Sequence, residues 1–125
     1  MPIGETKALR ILIVEDEVLL AMTLEDALEG LGHIVAGVAT RMADALLLAA
    51  NSEIDFAILD LNLSGTLSFP VADILRSRGV PFVFATGYGP TGMNEAYRNE
   101  IVLTKPYGFR ELESAVNKVI SASVA

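Results

Sequence analysis

Four short apolar runs, far apart in the chain, each lead into polar side chains. Ile11-Leu12-Ile13-Val14 run into Glu15-Asp16, and Ile58-Leu59 run into Asp60. Phe82-Val83-Phe84-Ala85 run into Thr86, and Ile101-Val102-Leu103 approach Lys105-Pro106. Continuous apolar runs without alternation mark strands covered on both faces, as in a parallel sheet. In a parallel α/β sheet the carboxyl ends of the strands share one edge, and ligands bind there. The pattern therefore gathers three carboxylates, a hydroxyl and an ammonium in one place. Three carboxylates suit a hard divalent cation with oxygen ligands. A hydroxyl and a lysine suit a phosphoryl group beside it. The arrangement reads as a magnesium-dependent phosphoryl site.

Between these runs the apolar period changes to that of helices. Leu20, Leu24, Leu28 and Leu31 form one such stripe, closed by Gly30 and Gly32. A second strand is predicted over Ile34–Ala39. Thr40 is placed to cap a second helix with Met42, Ala45, Leu46 and Ala49 inside. A third strand spans 54–60, followed by a loop over 61–68. Pro70 fits the first turn of a third helix, with Val71, Ile74 and Leu75 inward. A fourth strand covers 81–85, and a glycine-rich loop covers 87–92. A short, weak fourth helix is predicted over about 93–99, then a fifth strand over 101–103. A last helix over about 108–121 turns Leu112, Ala115, Val116 and Val119 inward. Alternating strands and helices predict a doubly wound α/β fold, a parallel five-stranded sheet with right-handed crossovers. Residues 1–8 read as an N-terminal arm and 9–125 as a single domain with no output domain.

Composition narrows the function. The chain has 125 residues, 52% of them apolar, a net charge of −7 and a pI near 4.5. A chain of this size buries a substantial core. The acidity argues against nucleic acid and against an anionic membrane surface. With no cysteine, disulfides and thiol chemistry are excluded. The first residues lack the apolar core of a signal peptide, and no run is long enough to span a membrane. The reading is a cytoplasmic protein, a monomer or weak dimer.

The ordered set Glu15-Asp16, Asp60, Thr86 and Lys105-Pro106 resembles the receiver domain of bacterial two-component response regulators, of the chemotaxis-regulator type. The resemblance covers Leu9 to about Ser121. It implies a flavodoxin-like (βα)5 fold with strand order 2-1-3-4-5. It implies that Asp60 accepts a phosphoryl group from a histidine kinase or phosphotransfer protein. It further implies that Glu15 and Asp16 bind Mg²⁺, that Thr86 is the switch hydroxyl, and that Lys105 completes the site beside a cis bond to Pro106. Phe84-Ala85-Thr86-Gly87-Tyr88 is similar to the "FAT GUY" subgroup of alphaproteobacterial single-domain receivers, and Pro81-Phe82 and Lys105-Pro106-Tyr107 agree with it. Two positions depart from the wider family. Ser64 stands where a proline is usual, four residues after Asp60. Val102 replaces the usual switch aromatic, so that either Tyr88 or Tyr107 substitutes for it or the output is different.

Each residue also has a bland reading. Glu15, Asp16 and Glu17 would suit any helix start, since acids favour the first turn. Beside Asp60, however, the acids repel one another unless a cation joins them. Asp16 is the main expected ligand, Glu15 acts through water or as a second acid, and Glu17 points outward. The Asn62 backbone carbonyl is a further candidate ligand. His33, the only histidine, reads as structural. No G-x-x-x-x-G-K-[ST] is present, which leaves a nucleotide loop unsupported.

The leading reading is a stand-alone phosphoacceptor switch, with its own phosphorylation and self-hydrolysis chemistry, that signals through a protein partner. A phosphate sink or phosphorelay intermediate would use the same chemistry. A small aspartyl-phosphate phosphohydrolase is the rival class, but Asn62 occupies the place of its acid. The stretch after Thr86, with Gly87, Gly89 and Gly92, is expected to move. Partner contact is expected around Tyr88, Met93, Tyr97 and Tyr107.

Overall fold

The computed structural model describes residues 8–87, 95–97 and 100–124. Tyr88, Gly89, Gly92 and Met93 lie outside the described residues. Strand β1 (Arg10–Val14) leads into helix α1 (Val18–Gly30), then β2 (Ile34–Ala39), α2 (Met42–Asn51) and β3 (Phe56–Asp60). A small hairpin follows, β4 (Asn62–Leu63) and β5 (Thr66–Leu67), then α3 (Phe69–Ser77) and β6 (Phe82–Thr86). A 3-10 turn at Glu95–Tyr97, β7 (Val102–Thr104) and α4 (Phe109–Val124) complete the order.

The five main strands pair in parallel in the order β2-β1-β3-β6-β7. Counted within that sheet alone, this is the order 2-1-3-4-5 of a flavodoxin-like receiver fold. Alternate residues of each strand face opposite layers. Leu12, Val14, Ala57, Leu59, Phe82 and Phe84 pack against α2 and α3. Ile11, Ile13, Phe56, Ile58, Val83 and Ala85 pack against α1 and α4. The three central strands β1, β3 and β6 are buried on both faces, which is why they read as unbroken apolar runs. Each large side chain removed from water in this way contributes roughly 1.5–3 kcal/mol.

Four expectations need correction. The loop over 61–68 contains the antiparallel hairpin, with Leu63 paired to Thr66. Its two tip residues, Ser64 and Gly65, have φ of 52° and 92°. Positive φ at both central positions is the signature of a type I′ turn, whose twist matches that of the flanking strands. Thr40 does not cap α2; Arg41 holds the N-cap position, without a side-chain cap bond. On α1, the buried stripe is Ala21, Leu24 and Leu28, while Leu20 is exposed. The expected surface residue Tyr97 is buried, at 2% exposure.

Tyr97 sits among rings. It stacks on Phe69 with centroids 5.5 Å apart and meets Phe84 edge-on at 5.7 Å. Its hydroxyl donates to Asp73 on α3. The Arg76 guanidinium lies 4.0 Å from the ring centroid and also pairs with Glu100 at 2.8 Å. Burial, and then the Asp73 carboxylate, push the phenol up to about 12. The described part of the β6–β7 connection is thus anchored on α3 by one aromatic side chain. Of the predicted fourth helix, the described residues hold that single 3-10 turn.

Candidate functional site

The register of the sheet brings the strand ends together. Val14 is level with Leu59, Asp60 with Ala85, and Thr86 with Thr104. Glu15, Asp60, Thr86 and Lys105 therefore emerge within about one residue of the same edge. Glu15, Asp60 and Thr86 are buried there at 4%, 6% and 4% exposure.

Lys105 ties the acids together. Its Nζ lies 2.7 Å from Glu15 Oε1 and 3.3 Å from Asp60 Oδ2. Burial alone would lower the Lys105 pKa, but the Glu15 hydrogen bond and the charges of Asp60 and Glu15 outweigh it and raise it. Asp60 is in the opposite position. Burial, and then the negative charge of Glu15, push its carboxyl up to about 7, although Lys105 pulls it down. Two buried carboxylates beside one ammonium remain one positive charge short.

Glu15, Asp16 and Asp60 each offer an oxygen, all within 4.8 Å of one another. Two oxygens on one octahedral Mg²⁺ at about 2.1 Å stand about 3.0 Å apart when cis and about 4.2 Å when trans, so binding an ion would draw these carboxylates closer together. The donor chemistry, all carboxylate oxygen, also fits a hard cation. Asp16 is half-buried and accepts two bonds at Oδ2, from the Ser64 N–H at 2.9 Å and the Ser64 hydroxyl at 3.1 Å. Burial pulls the Asp16 carboxyl upward, but the Ser64 N–H, helped by Asp60, Glu15 and the hydroxyl, holds it below the usual carboxylate value. Glu17 is exposed, and its N–H donates to Glu15 Oε2 at 3.1 Å.

The remaining candidates fall into place around this centre. Asn62 N–H points at Asp60 Oδ1 at 3.4 Å, and its side-chain oxygen accepts the Gly65 N–H at 2.7 Å. Ser68 N–H donates to the Leu61 carbonyl. By the alternation of antiparallel ladders, the Asn62 backbone carbonyl then lies outside the hairpin ladder. Thr86 accepts the Lys105 N–H at its carbonyl, 2.7 Å away. A Cβ added to the exposed Gly87 would meet nothing within 4 Å, so space is open there. The Lys105–Pro106 bond is cis.

Val102, level with Phe84, packs against the core on the α2–α3 side, whereas Tyr107 packs on the α1–α4 side. The structure therefore does not bring these two positions together. Tyr107, Pro106, Leu20, Phe109 and Leu112 line a groove of ≈ 560 Å³ between α1 and α4, with Glu15 and Lys105 at its end. His33 stands at the opposite, amino-terminal edge of the sheet. It is buried, and its Nδ1 accepts the Leu9 N–H at 3.0 Å.

Reading the sequence missed two elements. One is the reach of Ser64 to Asp16, for which Ser-Gly between alternating apolar residues was the available hairpin signal. The other is the burial of Tyr97, for which no local signal exists.

Comparison with known proteins agrees with this geometry. Residues 11–117 match the model of the response regulator receiver domain. The chain is 36% identical to the phyllosphere-induced regulator PhyR of Methylorubrum extorquens, across 90% of this chain and 44% of that protein. It is 31% identical to the two-component response regulator PhoP of Pseudomonas aeruginosa, across 92% of this chain and 53% of that protein. It thus spans about half the length of the curated relatives it matches. The solution structure of SdrG from Sphingomonas melonis Fr1 is similar at a TM-score of 0.79 and 42% identity, covering 90% of this chain and 96% of that one. Among the described residues no helix is long and apolar enough to cross a membrane. From the ordered strand-end residues, their convergence at one edge and the family match over residues 11–117, this chain belongs to the response regulator receiver domain family of two-component signal transduction.

Proposed function

We propose that the chain is a phosphoacceptor switch in which Asp60 takes a phosphoryl group from the phosphohistidine of a sensor kinase or phosphotransfer protein. The observation that carries this reading is Lys105, 3.3 Å from Asp60 and 2.7 Å from Glu15, beside a cluster of three acids. An Asp60 oxygen attacks phosphorus in line. The new P–O bond forms as the P–N bond breaks, and the electron pair returns to the imidazole nitrogen. Such transfer rests mostly on positioning and charge neutralisation. Asp16, Asp60 and the Asn62 carbonyl would hold Mg²⁺, with Glu15 acting through water or as a second acid. The ion supplies positive charge that keeps Asp60 ionised and offsets the phosphoryl oxygens. Lys105 is placed to exchange its carboxylate contacts for a phosphoryl oxygen. Thr86, at the end of the neighbouring strand, offers a hydroxyl to the same group. Slow attack by water on the acyl phosphate returns the domain to its starting state.

The output of this reading is protein–protein contact in the cytoplasm, by the receiver domain over 9–125, with neither nucleic acid nor membrane as partner. The net charge of −7 supports that choice. Burial of Tyr97 removes it from the partner surface and leaves Gly87, Pro106 and Tyr107 as described candidates beside the site. The phosphohydrolase reading loses ground, because the Asn62 side chain is spent on the Gly65 N–H. Among solved structures, a BeF3-activated conformation of SdrG, 42% identical over 89% of this chain and 95% of that one at a TM-score of 0.76, also supports the phosphoryl reading. The test is intact mass after incubation with a small phosphodonor and Mg²⁺. Wild type should gain one hydroxylamine-sensitive phosphoryl mass, and Asp60→Asn should gain none. A mutant that still gains it would remove Asp60 from this role.

A further inference from the structure

We propose that Ser64, at the tip of the β4–β5 hairpin, is a positioning residue for the metal ligand Asp16. The proposal rests on the reading of the acid cluster as a Mg²⁺ site. Both donors of Ser64, the N–H at 2.9 Å and the hydroxyl at 3.1 Å, converge on one oxygen, Asp16 Oδ2. The other oxygen, Oδ1, receives no bond from the hairpin. A carboxylate anchored through one oxygen is free to rotate only at the cost of both bonds, so the pair of bonds sets the direction in which Oδ1 is presented. Mg²⁺ demands near-ideal octahedral geometry and binds carboxylates sparingly, which makes a ligand's orientation matter. Groups that orient a metal ligand from behind typically change affinity by about 10–100-fold when removed.

The backbone makes this contact specific to the residue at 64. Its φ of 52° lies in the left-handed region, and Gly65 follows at 92°. Asn62 holds the turn by accepting the Gly65 N–H at 2.7 Å. Proline is locked near −65° and has no N–H. It can neither enter this turn nor donate to Asp16. A chain with proline at this position must therefore orient the acid by other means. The serine here adds a strut between two loops 48 residues apart in sequence.

The test is Mg²⁺ affinity measured by calorimetry on the unphosphorylated protein, with amide exchange of the hairpin as a second readout. Ser64→Pro should weaken Mg²⁺ binding by about tenfold or more. Ser64→Gly keeps the N–H and the turn but loses the hydroxyl, and should weaken it by roughly two- to fivefold. Asp16→Ala should raise exchange at the Ser64 amide, because its acceptor is gone. Unchanged or tighter Mg²⁺ binding in Ser64→Pro, or an unaltered Ser64 amide in Asp16→Ala, would overturn the proposal. If wild type itself binds no Mg²⁺, the metal reading fails; if wild type binds and Ser64→Pro binds equally, only the role of Ser64 fails. Thermal unfolding of Ser64→Gly separates orientation from folding, since a merely structural serine would lower stability and leave affinity unmoved.

Discussion

Two of the connections that leave the sheet at its functional edge, those after β3 and β6, are held by opposite means. The segment after β3 is short and sends Leu61 and Leu63 into the core, but its exposed tip takes its shape from turn chemistry: Ser64 and Gly65 at positive φ, with Asn62 closing the turn. The described part of the segment after β6 is held by one buried ring, Tyr97, against Phe69, Phe84 and the α3 side chains Asp73 and Arg76. Beside the first connection lie unlike and like charges whose balance changes with pH and with a cation. Beneath the second lie the rings of Phe69, Phe82 and Phe84, whose packing depends on neither, with Asp73 and Arg76 at the rim of the tyrosine.

Removing the ring should have the largest effect. Tyr97→Ala deletes a buried aromatic and should cost about 3–5 kcal/mol of unfolding free energy, read by denaturant titration. Its Mg²⁺ affinity should stay close to wild type, since Tyr97 touches no acid of the cluster. A loss of affinity equal to that from Asp16→Asn would collapse the distinction between the two connections.

The charged side should show itself through pH. Asp60 has a folded pKa near 7, above its ordinary 3.8. Between those values the folded state binds more protons than the unfolded one, so stability falls as pH rises from about 4 to 7. Asp60→Asn removes that slope. Without divalent cation at pH 8 it should be more stable than wild type by up to about 3 kcal/mol, and near parity at pH 4. Added Mg²⁺ should shrink the difference, because it stabilises wild type by mass action. Thermal melts at the two pH values, with and without Mg²⁺, check this. A wild-type protein more stable than Asp60→Asn at pH 8 without metal would contradict the charge imbalance described above.

The smallest effect belongs to the hairpin tip. Gly65→Ala meets no steric neighbour, but its φ of 92° disfavours a side chain. The cost should be about 1–2 kcal/mol. Because the tip is exposed, the loss should appear as faster local amide exchange over residues 61–68 before it appears globally.

Much of this was legible in the chain itself. The strands could be located because burial on both faces demands continuous apolar residues, and Ile11–Val14 or Phe82–Ala85 admit little else. The site could be located because a parallel sheet places all its strand ends at one edge. Helix faces were legible where the stripe was long, as with Leu112, Ala115 and Val116 on α4. They were misjudged where one turn decided the matter: Leu20 continues the leucine stripe of α1 but faces solvent, and Ala21 takes the core. Thr40 has the chemistry of a cap, yet the helix begins one residue later, behind Arg41.

The sequence by itself determined the class of fold, the order of the reactive residues and their common edge, because hydrophobic period and strand-end position are local properties. The tertiary structure decided which atoms meet. Lys105 reaches Glu15 more closely than Asp60, Ser64 reaches Asp16 across 48 residues, and Tyr97 leaves the surface for the core. Those contacts depend on the register of neighbouring strands and on how one loop folds over another. No period along the chain encodes such distances.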